Sequence, residues 1–279
     1  MLQCSPSRVK LLNEKKDKSC LLKEDLDDIA EHINKNSIKT IDFKSMNRDQ
    51  LYKKIKKHFK DICSNEYCWV KKANIKNNNS IFKPEMPIEW YDNPNHWLNN
   101  LDIENVLLQY EESHKNFKFL GANPLDFEGY TQYKSCVSVC DFTIKKLLKE
   151  KKTCFGMVIN YDTHQLSGSH WVSLFCNINP KKEMYGIYFY NSGGTKTLTD
   201  IPLPILNFMK RIKEEMNDPR FELRYNKIKR QFKDSECGMF SVVFIIQCLK
   251  NIPFNTICKE MFGDAKMNAL RTVLFMKTS

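Results

Sequence analysis

The sequence predicts an α+β protein with a mixed central sheet, and three observations predict it. Amphipathic helical segments come first. Strand-like runs rich in Val, Ile, Phe and Tyr follow, bounded by Asn, Gly and Pro. An apolar run, CGMFSVVFIIQCL, then opens at Cys237 and is long enough for a buried helix. Helices, then strands, then helices is an α+β order.

The chain has 279 residues, enough for one large domain and a small appendage. Hydrophobic residues at 42% and charged residues at 28% fit a soluble globular class. No apolar run approaches the ~18 residues of a membrane helix. The start, MLQCSPSRVKLLNEKKDK, has neither the apolar stretch nor the small-residue cleavage site of a signal peptide. A reducing compartment is therefore expected. The 11 cysteines, odd in number and irregular in spacing, then read as free thiols.

Leu22, Leu26, Ile29 and Ile33 fall at helical spacing with acidic residues between them. Leu51, Ile55, Phe59 and Ile62 mark a second helix, which Asn47 and Gln50 open in the manner of a capping box. They make a small helical domain over residues 1–83. It carries 19 Lys+Arg against 11 Asp+Glu, a net of +8, whereas the remainder supplies only +3 of the chain's +11. KKIKKHFK is a candidate face for nucleic acid or another acidic partner; a solvated helix face is the plainer reading. His58, Cys63 and Cys68 fall short of a zinc site. Zinc takes four ligands, and the other tight pair is Cys136 and Cys140, spaced for one helix face. Buried thiols fit better.

IKNNNS reads as a linker, and a second domain is set at 84–279. In it, NHWLNNLDIENVLLQYEESH and CVSVCDFTIKKLLKE predict helices. CFGMVINY, HWVSLFCNI, MYGIYFYNS and FELRYNKIK predict strands, with the helix LPILNFMKRIKEEMN between the third and fourth.

Four residues in this frame can carry chemistry. At a helix N-terminus, the Cys237 thiol faces free amides and the positive end of the dipole, so its pKa is expected to fall. Gly238 leaves the sulfur uncrowded. His170 opens a strand, where a general base can project into a cleft. Asn191 closes the next strand and can hold an imidazole in one tautomer. Gln231 precedes Cys237 by six residues and can aim an amide at an oxyanion. Each alone has a plainer reading: a packed thiol, a surface histidine, a turn asparagine, a polar loop residue.

Together, HW opening a strand, YFYNS closing the next and Q-x5-CG opening a helix resemble the ubiquitin-like-protein-specific (SUMO protease/adenain-type) cysteine protease family. The viral branch, with the polyprotein-processing protease of African swine fever virus, is the nearer likeness. HWLNNLDIENVL resembles the Trp-Leu segment that begins the core of the SUMO-directed members. The likeness covers roughly residues 85–279; the N-terminal third vaguely resembles small helical adaptor modules.

The resemblance implies a papain-like, SUMO-protease-type core whose buried helix carries the nucleophile. It implies Cys237 as nucleophile, His170 as base, Asn191 as orienting residue and Gln231 as oxyanion donor. Many cellular members have Asp where this chain has Asn191. Trp97 and Trp171 would line a narrow tunnel that admits only residues without side chains, so Gly-Gly-X sequences are the expected substrates. No metal or other cofactor is implied. The expected partner is a protein substrate such as a viral structural polyprotein, with a weak nucleic-acid contact through the basic arm. The expected location is the virion and host cytoplasm if the chain is viral, otherwise a reducing intracellular compartment. Removal of SUMO or a related modifier is the alternative, followed by acetyl transfer with a related triad and by a nucleic-acid-binding module.

Overall fold

Among the described residues, four of the five strands are the predicted ones: β2 (Cys154–Asn160), β3 (Trp171–Asn177), β4 (Gly186–Tyr190) and β5 (Glu222–Tyr225). Every residue of β2, β3 and β4 is buried, as in a sheet covered on both faces. The edge strand β1 (Phe117–Asn123) is not among the predicted strands. Its apolar pattern is broken by Lys118 and by a register shift between Phe119 and Ala122. The sheet order is β1-β2-β3-β4-β5, with β1–β2 and β4–β5 parallel and the two central pairings antiparallel, so the sheet is mixed.

This arrangement comes from a computed structural model that describes residues 3–12, 19–37, 40–75, 78–133 and 135–278. The chain divides into two compact units, Met1–Glu85 with Phe275–Ser279, and Met86–Leu274. The C-terminal segment thus clusters with the first unit, whereas the sequence reading carries the second domain to residue 279.

The first unit holds α1 (Pro6–Leu12), α2 (Lys23–Asn36), α3 (Arg48–His58), α4 (Glu66–Lys72) and α5 (Asn78–Ile81). The Asn47–Gln50 capping box forms as expected. Leu26, Ile29, Ile33, Leu51, Ile55 and Trp69 fill its core. Of the expected linker, residues 76 and 77 lie outside the described residues, and the part after them forms α5.

The second unit holds α6 (Glu89–Asp92), α7 (Asn100–Ser113), α8 (Ile144–Lys149), α9 (Leu203–Met216), α10 (Cys237–Leu249), α11 (Phe254–Glu260), α12 (Asp264–Ala269) and α13 (Arg271–Leu274). On one sheet face, α8 and α9 pack Leu147, Ile205 and Phe208 against Phe155, Leu174 and Phe189. On the other lies α10, whose Phe244 stacks on Tyr190 at 4.8 Å. Burying one such side chain contributes about 1.5–3 kcal/mol. Gly156 sets the approach: a Cβ there would sit 3.1 Å from the Phe117 ring and 3.2 Å from Ile245.

Two expectations are corrected. The helix predicted from Cys136 begins only at Ile144, where the Thr143 side chain caps it by accepting from the Lys146 amide. The β-branched, cysteine-containing stretch before it is irregular chain. Second, six cysteines are not free thiols: Cys4–Cys20, Cys63–Cys68 and Cys136–Cys140 are disulfides. Their Cα atoms stand 5.2, 5.5 and 5.9 Å apart, within bridging reach, which compartment-level reasoning from composition does not address. Cys154, Cys176, Cys237, Cys248 and Cys258 remain free and buried.

Candidate active site

The antiparallel register of β3 and β4 pairs Ser173 with Tyr190, which brings the residue before β3 close to the residue after β4. His170 Nε2 accordingly lies 2.9 Å from Asn191 Oδ1. The network assigns the tautomer. The Asn191 amide nitrogen donates to Tyr161 Oη at 3.2 Å and to Gly194 O at 3.3 Å, so its oxygen faces the imidazole. Nε2–H therefore donates to Asn191, and Nδ1 keeps a lone pair. Burial lowers the His170 pKa, and the bond to Asn191 opposes this only in part. The ring is neutral and able to accept a proton.

Two residues that carry no signal of their own in the sequence hold this pair. Tyr161 packs edge-on to the His170 ring at 5.1 Å and takes the Asn191 amide. Asn226 clamps the Asn191 backbone, accepting from its N–H at 2.8 Å and donating to its C=O at 2.9 Å.

Cys237 begins α10 and is 2% exposed. The backbone amide of Trp171, the residue after His170, acts on this thiol to lower its pKa. The pKa expectation is reversed here. Burial raises the Cys237 pKa; the amides of Trp171, Gly238 and Cys237 lower it, but by less, and the Glu236 carboxylate adds to the rise. A helix end favours a thiolate only while the sulfur keeps its solvation. The resting arrangement is thus a thiol and a neutral imidazole, and sulfur attack on a carbonyl requires simultaneous loss of its proton.

Gln231 is buried and joins the group through the turn after β4. Its Oε1 accepts from Ser192 Oγ at 2.5 Å, and its Nε2 donates to Lys233 O at 2.6 Å. One amide N–H is used, and the second remains for another acceptor. Ser192, which holds the Gln231 amide in place, reads in sequence as an ordinary turn serine.

Glu236, directly before the nucleophile candidate, is 1% exposed. Arg271 grips it with Nε at 3.1 Å and Nη2 at 3.0 Å, and Asn268 adds a bond at 2.9 Å. Arg271 Nη1 also donates to His96 O at 2.6 Å. This ion pair ties the loop before α10 to the segment leading into Trp97.

Trp97 and Trp171 both line a cleft of about 460 Å³, bounded also by Leu98, Asn160, Leu166 and Gly168. Trp97 is 41% exposed, whereas Trp171 is buried in the wall with its indole N–H on Leu98 O at 2.9 Å. A Cβ at Gly238 would lie 3.0 Å from Leu98 Cβ and 3.4 Å from Trp171 Cδ1, so Leu98 and Trp171 pack tightly on Gly238, the residue after Cys237. Leu98 has no sequence signal beyond its place next to Trp97. Among the described residues, no group of three or more His, Cys, Asp or Glu is placed to hold a metal ion.

A buried thiol at a helix start, a neutral imidazole oriented by an amide and a cleft walled by two tryptophans define a cysteine protease of the papain-like, SUMO-protease type. Residues 109–278 match the Ulp1 protease family, C-terminal catalytic domain, and the chain belongs to that family. An Acanthamoeba polyphaga mimivirus protein, whose name calls it a thiol protease, is 29% identical over 297 residues, covering 98% of this chain and 92% of its own. The SUMO-1 cysteine protease of African swine fever virus is 24% identical over 189 residues, covering 64% of this chain and 67% of its own. A crystal structure of the African swine fever virus protease shares the fold, with a TM-score of 0.62 over 98% of this chain and 97% of that one at 20% identity.

Proposed function

We propose that this cysteine protease is an endopeptidase that cleaves after Gly-Gly-type (Gly-Gly-X) sequences and matures structural polyproteins of a large DNA virus. The observation that carries the specificity is that Trp97 and Trp171 wall one cleft, with Trp171 the residue after His170. A peptide held between two bulky indoles has little room for side chains next to the scissile bond. Viral relatives support the setting.

In this reading Cys237 Sγ attacks the carbonyl carbon while His170 Nδ1 takes the thiol proton. The oxyanion is held by the second Gln231 Nε2–H and by backbone N–H groups at the α10 start. Collapse expels the amine, which takes the proton from His170. Water then attacks the thioester with His170 as base, and release of the acid restores the thiol.

Lys53, Lys54, Lys56, Lys57 and Lys60 are exposed on and just after α3, which supports a weak, salt-dependent contact with nucleic acid. A virion and host-cytoplasmic location goes with the viral reading. Deconjugation of a SUMO-like modifier is the second reading, favoured by the family match.

The test is a panel of Gly-Gly-X peptides, Gly→Ala versions of each, and isopeptide-linked modifier conjugates. Cleavage of the peptides and at least about tenfold loss with either Ala substitution is expected. Equal turnover of Ala peptides, or turnover of conjugates alone, contradicts the proposal.

A further inference from the structure

Phe232 is the large aromatic nearest in sequence to the catalytic candidates that the chain leaves uncovered, at 73% exposed. It does not hang from a loose loop. Its backbone N–H donates to Asp264 Oδ2 at 2.9 Å. On one side, the amides of Arg230 and Gln231 donate to Ser192 O at 2.8 and 3.0 Å. Across it, the Gln231 side chain closes onto Lys233 O. The ring is therefore presented on a fixed turn, and little ordering entropy remains to be lost when something binds it.

The surroundings are basic. Lys229 Nζ lies 5.2 Å from the centre of the Phe232 ring. Lys227, Lys229 and Lys233 are exposed, and among the described residues none of them forms an ion pair. Arg230 is occupied, donating to Cys258 O. Asp264 is the acid holding the turn, and Asp234 is an exposed acid beside it.

Sheet order gives this surface a direction. The ends of β1, β2, β4 and β5 and the start of β3 meet at one edge of the sheet. The Trp97–Trp171 cleft is walled there by residues at the ends of β1 and β2 and the start of β3. The Phe232 turn follows β5, beyond β4. His170, just before β3, and Asn191, just after β4, fall between the two. A peptide with its glycines in the cleft that passes His170 and Asn191 runs on toward Phe232.

We propose that Phe232, Lys227, Lys229 and Lys233 receive the substrate segment on the leaving side of the scissile bond, and that this segment carries an apolar residue flanked by acidic ones. The ring offers apolar surface, and the three exposed ammonium groups suit carboxylates. This rests on the Gly-Gly endopeptidase reading, and the experiment separates the two.

Three Gly-Gly-X peptides share an apolar residue after the cleavage point and differ only in its neighbours, acidic, neutral or basic. A fourth substrate is the same acyl segment as an aminocoumarin amide, with no residue beyond the bond. The readout is kcat/KM on each peptide divided by kcat/KM on the amide. At low salt the ratio is expected to be about tenfold higher for the acidic than for the basic peptide. Phe232→Ala should lower it for all three peptides, and Lys229→Glu with Lys233→Glu should reverse the charge preference. Equal ratios for the three peptides, or an acidic preference that survives the charge reversal, overturn the proposal. If the amide itself is not cleaved while the protein is folded, the endopeptidase reading fails first and this one with it.

Discussion

Replacing His170 by alanine is expected to lower kcat by about 10⁴- to 10⁶-fold with the fold intact, since nucleophile and base act as one unit. Burial of both groups sharpens the expectation. The Cys237 thiol is raised and the His170 imidazole lowered, so the uncharged pair is favoured at rest. With the thiol favoured over the thiolate, little nucleophile is left to sustain a slow reaction once the acceptor is gone. The same shifts fix the pH dependence. His170 works as a base only when unprotonated, so activity is present above its pKa and lost as pH falls through it. Because that pKa is lowered, the acid limb of kcat/KM should lie below about 6.5, the ordinary imidazole value. Asn191→Asp puts a carboxylate against Nε2 and should move the limb upward. A His170→Ala enzyme within about tenfold of the parent, or an acid limb above about 7 in the parent, contradicts the assigned role.

Replacing Arg271 by methionine should cost about 3–5 kcal/mol of stability, the usual loss when one partner of a buried ion pair is removed. Arg271 and Glu236 side chains are 3% and 2% exposed. Methionine keeps much of the stem volume over the Trp90 ring, where the guanidinium now lies at 4.3 Å. What is lost is charge, together with the bonds to Glu236, His96 O and Ser235 O. Glu236 is left buried and unpaired one residue before Cys237. Adding Glu236→Gln should recover part of the loss, because the stranded charge is then gone. Urea denaturation of the full chain measures both. A single-variant loss below about 1 kcal/mol would show that the pair is not desolvated in solution.

The legible parts of the fold are those where chain composition alone decides. The strands β2 to β4 are apolar because the sheet is covered on both faces. The α10 helix is buried at eleven positions from Cys237 to Cys248, and Ser241 is the one polar side chain among them. His170 and Asn191 are legible as neighbours because a strand start and the following strand end meet in an antiparallel pair. The hidden parts depend on contacts between distant residues. Arg271 meets Glu236 across 35 positions, and Asn226 meets Asn191 across 35. In sequence, these read as an ordinary surface arginine and an ordinary loop asparagine. Tyr161 and Ser192 are hidden for the same reason. The direction of the Cys237 shift escapes the sequence because a helix end can be read there, whereas the depth of burial cannot.

The most direct test of the central claim is to treat the full chain with a Gly-Gly-terminated peptide electrophile and map the adduct by mass spectrometry. Five buried thiols compete for it: Cys154, Cys176, Cys237, Cys248 and Cys258. Of these, Cys237 is the one whose pKa the Trp171 amide lowers, and Trp171 both follows His170 and walls the cleft. A single adduct on Cys237, absent from the His170→Ala variant, is the predicted result. Label spread over several cysteines, or label on Cys237 that forms equally fast without His170, would contradict it.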